Sequence, residues 1–136
     1  MKIRPLTENF AVSPQIHARD VAHLAREGYR TIINNRPDGE GWGQPRGADI
    51  EAEARAHGLA YHHVPISNRG LVPGQIEQVA AILDGADGPV LAFCRSGTRS
   101  AHAWALSQAG KMAAQDIIDA AARAGYDVRA LAQFLG

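Results

Sequence analysis

The run Pro89-Val90-Leu91-Ala92-Phe93-Cys94-Arg95-Ser96-Gly97-Thr98-Arg99-Ser100 sets the frame for the rest of the chain. Pro89 to Phe93 has the apolar character of a buried strand, and the alanine-rich amphipathic run from Ser100 to Gly110 reads as a helix. The loop between them is expected to turn successive backbone N–H groups inward at a helix N-terminus, which makes an anion site. The same partial positive charge lowers the pKa of a thiol placed at the loop's start. Arg99 adds a planar fork of donors suited to a tetrahedral oxyanion. Gly97 lets backbone approach the anion closely. Ser100 is placed to donate its hydroxyl to the sulfur. A lone cysteine is commonly a core residue, but the flanking Arg, Ser and Gly are poor company for a core thiol. The stretch therefore reads as Cys94 nucleophile plus an anion cradle made by Arg95, Ser96, Gly97, Thr98 and Arg99.

Length and composition frame that reading. The chain has 136 residues, enough for a single domain spanning 1–136 with its own core. Basic and acidic residues number 14 each, so there is no basic excess of the kind a nucleic-acid-binding protein shows. No apolar run is long enough for a membrane span, and the N-terminus lacks the apolar core of a signal peptide. The single cysteine cannot form an internal disulfide, which fits a reducing, cytoplasmic location.

Asn9 to Ile16 reads as a first strand and turn. Val21, Ala22, Leu24 and Ala25 recur at helical spacing within 18–27, and Gly28 stops that helix. Tyr29 to Asn35 is β-rich. Residues 36–47 hold four Gly and two Pro and form a loop. Asp49 can cap the next helix, which ends at Gly58. Ala60 to Ile66 reads as a strand, and Pro73 opens a helix carrying Ile76, Val79, Ala80 and Leu83 on one face. Two more helices follow, Met112 to Ala124 and, capped by Asp127, Val128 to Leu135. Strands alternating with helices predict an α/β domain, with a mostly parallel sheet and helices on both faces. In such sheets the site lies outside the carboxyl ends of the strands. Three loops leave from that edge, 35–47, 67–72 and 94–100.

CRSGTRS (residues 94–100) resembles the active loop of cysteine-dependent phosphatases and of single-domain rhodaneses. TIINNRPDGE (residues 31–40), at its distance before that loop, resembles the phosphatase-like domain of beta-lactamase-hydrolase-like proteins. That group is similar in fold to dual-specificity protein tyrosine phosphatases. The likeness runs from about Asn9 to Gly110. It implies Cys94 as nucleophile, Arg99 as the oxyanion-binding arginine, the amides of 95–100 as the cradle, and neither metal nor organic cofactor. Members of the group are described both as phosphatases and as sulfurtransferases. The chain departs from the tyrosine phosphatase pattern in two places. Four residues, not five, separate Cys94 from Arg99, and Phe93 stands where a histidine is usual. The loop Ser67-Asn68-Arg69-Gly70 lacks the general-acid Asp that those enzymes carry there.

Three functions follow as expectations. The favoured one is a phosphatase-like hydrolase that forms a phosphocysteine, with Asp38 as candidate proton donor and Glu40 second. A bare turn role for Asp38 competes, since Pro-Asp-Gly is a turn signal. The alternative is sulfur transfer through a persulfide on Cys94, which needs no carboxylic acid. The third is a non-catalytic anion-binding or redox-sensing module. Arg36, Glu40, Trp42 and Arg69 are candidate substrate contacts, and Trp42 is available to close over substrate. The partner is a small anionic substrate or a phosphoprotein, with no nucleic acid or membrane. The six histidines show no metal-ligand spacing. Trp104 is expected in the core.

Overall fold

Five short strands form one sheet in the computed structural model, which describes residues 1–136. They are β1 (Arg4–Thr7), β2 (Phe10–Ser13), β3 (Thr31–Asn34), β4 (Ala60–His63) and β5 (Val90–Phe93), in the spatial order β1-β2-β5-β3-β4. β5 lies at the centre, parallel to both neighbours. Ala92 sits between Val12 and Ile33, and Phe93 between Ser13 and Asn34. All four β5 residues are buried because both faces of the strand are covered. Val90 and Ala92 join Val12, Ile33, Trp104 and Ile117 on one face, while Leu91 and Phe93 join Ala11, Ile32, Leu24 and Ile50 on the other.

Six helices cover these faces: α1 (Val21–Arg26), α2 (Gly47–Ala56), α3 (Pro73–Gly85), α4 (Thr98–Ser107), α5 (Ala114–Arg123) and α6 (Ala132–Leu135). Trp104 of α4 is core, stacked on Phe10 with ring centroids 5.8 Å apart. The expected α/β class and mostly parallel sheet are present. The exception is β1, an antiparallel edge strand that the sequence reading missed. Its Pro5 weakens the strand pattern, yet proline is tolerated at a sheet edge.

Helix starts account for the other differences. The segment expected as one helix over 18–27 opens as a 3-10 turn at Ala18–Asp20, where the Asp20 carboxylate accepts the His17 N–H at 2.8 Å. α2 begins at Gly47, ahead of the expected cap Asp49, because Asp38 Oδ1 accepts the Gly47 N–H at 2.8 Å from nine residues away. Asp49 instead pairs with Arg46 at 3.0 Å. The last expected helix is a 3-10 turn at Arg129–Leu131 followed by α6, with Asp127 Oδ1 accepting the Arg129 N–H at 3.0 Å. No helix is long and apolar enough to cross a membrane.

Candidate active site

β5 ends at Phe93, and Cys94 follows at the sheet's carboxyl edge with no solvent-exposed surface. The loop then turns sharply at Gly97, whose φ of +94° is a left-handed conformation that glycine adopts without strain. A Cβ at Gly97 would overlap the Tyr126 hydroxyl and Val12 Cγ1, so the space also requires glycine. The turn brings the Gly97 N–H to 3.1 Å from Cys94 Sγ, donating to it. Ser96 Oγ accepts the Thr98 N–H at 3.3 Å and donates to Thr98 Oγ1 at 3.0 Å. The amides of Arg95, Ser96, Arg99 and Ser100 donate to no protein acceptor. The last two belong to the first turn of α4, where intrahelical partners do not exist and an anion is favoured.

Arg99 is held in one orientation. Its Nη1 donates to Glu40 Oε2 at 2.6 Å and to the Ile66 carbonyl at 2.7 Å, and its Nη2 donates to Glu40 Oε1 at 2.8 Å. Three of the five guanidinium N–H groups are thus engaged, leaving Nε–H and one Nη2 hydrogen on another edge. Hydrogen bonding to Glu40 raises the Arg99 pKa against the effect of burial. Glu40 is the hub of this arrangement. It also accepts from Arg36 Nε at 2.9 Å, while Arg36 Nη1 donates to Gln15 Oε1 at 2.9 Å. The hydrogen bond from Arg99, helped by that from Arg36, lowers the Glu40 pKa from 4.5 to about 2 despite desolvation. Glu40 is therefore ionised at neutral pH and cannot supply a proton, which corrects its reading as second-choice acid. It positions Arg99 and neutralises Arg36.

The glycine-rich loop 36–47 is pinned. Gln44 Oε1 accepts the amides of Glu40 and Gly41 at 2.9 and 3.1 Å, and Gln44 Nε2 donates to the Pro37 carbonyl at 2.9 Å. Asp38 accepts the Gly47 N–H at the start of α2 and makes no hydrogen bond to Arg99 or to the 94–100 loop. Trp42 is fully exposed at 104% and covers nothing, so its expected closing position is not the one seen. Arg69 lies exposed on the loop after β4, with only its backbone N–H bonded, to Ser67 Oγ. Arg95 is likewise exposed, its carbonyl accepting the Gln15 N–H at 3.2 Å. Of the four candidate substrate contacts, the fold brings Arg36 and Glu40 to Arg99 and leaves Trp42 and Arg69 at the surface.

Ser100 requires a correction. Its hydroxyl donates to Asn35 Oδ1 at 2.8 Å, not to the sulfur. Asn35 in turn donates from Nδ2 to the Val64 carbonyl at 3.0 Å and from its backbone to the Phe93 carbonyl at 2.8 Å. This buried asparagine ties β3, β4 and β5 together beside the cysteine. Sequence reasoning overlooked it, together with Gln15, the Ile66 carbonyl and Tyr126, whose hydroxyl donates to the Ser96 carbonyl at 3.1 Å. The available signal was two consecutive amides, Asn34 and Asn35, ending an apolar strand, where buried polar groups need partners. His63 contributes a ring-nitrogen contact of 2.9 Å to the Arg36 carbonyl, and no group of three or more His, Cys, Asp or Glu is placed to hold a metal ion.

Comparison with known proteins gives concordant results. Residues 2–111 match the family described as beta-lactamase hydrolase-like protein, phosphatase-like domain. A beta-lactamase hydrolase-like protein of Xylella fastidiosa is 38% identical over 131 residues, covering 94% of this chain and 30% of the relative. The chain thus spans about a third of the length of the curated relatives it matches. Among solved structures, a phosphatase candidate from Neisseria meningitidis superposes with a TM-score of 0.84 at 34% identity, covering 99% of this chain and 96% of that one. PTPMT1 superposes with a TM-score of 0.75 over 98% of this chain and 91% of its own, and at 13% identity this shows a shared fold alone.

Proposed function

Because this chain belongs to the phosphatase-like domain family of beta-lactamase hydrolase-like proteins, we propose that it hydrolyses phosphate monoesters through a phosphocysteine on Cys94. The observation that carries this reading is the fixed guanidinium of Arg99, clamped by Glu40 with two N–H groups left over, beside a sulfur that already accepts the Gly97 amide. The Cys94 thiolate attacks phosphorus in line, the S–P bond forms and the ester P–O bond breaks. The equatorial oxygens are held by the free edge of Arg99 and the unpartnered loop amides, so catalysis is mainly positioning and electrostatic stabilisation. The leaving oxygen takes a proton from Asp38 or from water. Water then attacks the phosphocysteine, releasing phosphate and regenerating the thiolate. With Glu40 ionised and no carboxylate in the 67–72 loop, activity should be confined to good leaving groups such as aryl oxides, since general-acid help is worth roughly 10²–10⁴ in rate. A phosphatase-like domain of this kind takes a small anionic ester or a phosphoprotein as its partner.

The test is turnover of p-nitrophenyl phosphate, abolished in Cys94→Ser and reduced roughly 10²–10³-fold in Arg99→Lys, which cannot reproduce the fork. Asp38→Asn should slow poor leaving groups more than good ones if Asp38 is the donor. Sulfur transfer is the second reading, favoured by the four-residue gap and the missing acid. There the Cys94 thiolate attacks the sulfane sulfur of thiosulfate, sulfite leaves, and a persulfide remains for a thiol acceptor. If wild type and Cys94→Ser are equally inert toward the ester while Cys94 gains the mass of one sulfur from thiosulfate, the hydrolase reading is wrong.

A further inference from the structure

Arg99 and Ile66 also line an apolar cavity of about 620 Å³, walled further by Leu71, Ile76, Leu106, Leu131 and Phe134. That volume lies within the roughly 300–1,000 Å³ of pockets that hold drug-sized ligands. Only two titratable side chains line it, Arg99 at the catalytic end and His102, one turn along α4. Ile66 belongs to both regions, since its carbonyl orients Arg99 while the residue forms the cavity wall. The outer wall comes from the C-terminal segment. Leu135 is 2% exposed and anchors α6 in the core, which leaves its neighbour Phe134 60% exposed. Leu131 and Phe134 lie beyond residues 2–111, the span of the family model. A guanidinium at one end and a greasy trough at the other complement a molecule with an anionic head on a bulky apolar body.

We infer that this cavity binds the organic group of the substrate, and that the substrate is an oxyanion monoester carried on a bulky aryl group. The inference rests on the reading of Cys94 and Arg99 as the anion site. Because the apolar body is held by the C-terminal segment and the head by the loop, a small ester should bind through its head alone. An apolar body that buries roughly 60 Å² more surface should bind about tenfold more tightly.

Non-hydrolysable phosphonates separate the two claims. Protection of Cys94 from alkylation by iodoacetamide is measured with tungstate, methylphosphonate and 2-naphthylmethylphosphonate. The expected result is protection by all three, with the naphthyl compound at least about tenfold tighter than the methyl compound. Phe134→Ser, at an exposed position that should not disturb folding, and Leu131→Asp should each bring that ratio below about threefold. Equal affinities in wild type overturn the cavity assignment while tungstate protection leaves the anion site standing. A naphthyl preference that survives both substitutions overturns it as well. A wild-type dimer that Leu131→Asp converts to monomer would show the trough to be a contact between copies, and would overturn the inference. Failure of every oxyanion to protect Cys94 overturns the reading of the reaction itself.

Discussion

Exchanging Glu40 for glutamine keeps the length and shape of the side chain and removes its charge. In the folded protein the carboxylate accepts from Arg99 at 2.6 and 2.8 Å and from Arg36 at 2.9 Å, and its pKa drops from 4.5 to about 2. A shift of roughly 2.5 units corresponds to about 3 kcal/mol, at about 1.36 kcal/mol per unit. Removing one member of a buried pair costs about 3–5 kcal/mol, whereas a pair open to water is worth under about 1. The side chains of Arg36 and Glu40 are 7% and 15% exposed, closer to the first case, although water reaches the rim and glutamine keeps one acceptor. Glu40→Gln should therefore lower the unfolding free energy by about 2 kcal/mol at pH 7. The folded pKa lies below the unfolded one. The contribution is thus complete above about pH 4.5 and is lost as pH falls toward 2. Urea unfolding of both proteins at pH 7 and at about pH 3 reads this directly. A gap that is absent at pH 7, or as large at pH 3 as at pH 7, refutes the assignment of Glu40 as the ionised clamp.

Other substitutions test neighbouring parts of the site. Gly97→Ala forces a Cβ into the Tyr126 hydroxyl and Val12 at a positive φ, so thermal unfolding should show a loss of about 2 kcal/mol or more, together with loss of activity. Asp38→Ala removes the oxygen that accepts the Gly47 N–H and should cost about 1 kcal/mol in urea unfolding, with Asp38→Asn costing less. Ser100→Ala strands the Asn35 side-chain oxygen in the interior. It should cost about 1–3 kcal/mol, while folded protein keeps ester turnover to within about threefold if the hydroxyl does not act on the sulfur.

The strand–loop–helix around Cys94 was legible because each local preference agrees with the next. An apolar strand, a glycine that must take a positive φ and a helix whose first turn is unpartnered all point one way. The parallel sheet was legible from alternation alone. β1 was not, because Pro5 masks an edge strand whose partner follows after only two residues, Glu8 and Asn9. Asp38 and Glu40 stand two residues apart in the same loop, and nothing in their spacing shows which would reach Arg99. Tertiary geometry decides it, turning Asp38 toward Gly47 and Glu40 toward the guanidinium. Ser100 was misread for a related reason. Its partner Asn35 is 65 residues away, and a contact of that range leaves no periodic trace in sequence.

The position of β5 between β2 and β3 also determines how the molecule comes apart. Phe93 and Arg95 are tied on one side to Asn35 and on the other to Gln15 by backbone hydrogen bonds of 2.8 and 3.2 Å. The Cys94 loop therefore hangs from the middle of the sheet, while β1 and β4 are its outer rails. Native-state hydrogen exchange should find the amides of Leu91 to Phe93 released only by global unfolding, and those of β1 and β4 released earlier by fraying. Chemistry at Cys94 should then persist through partial openings that already expose either margin of the domain.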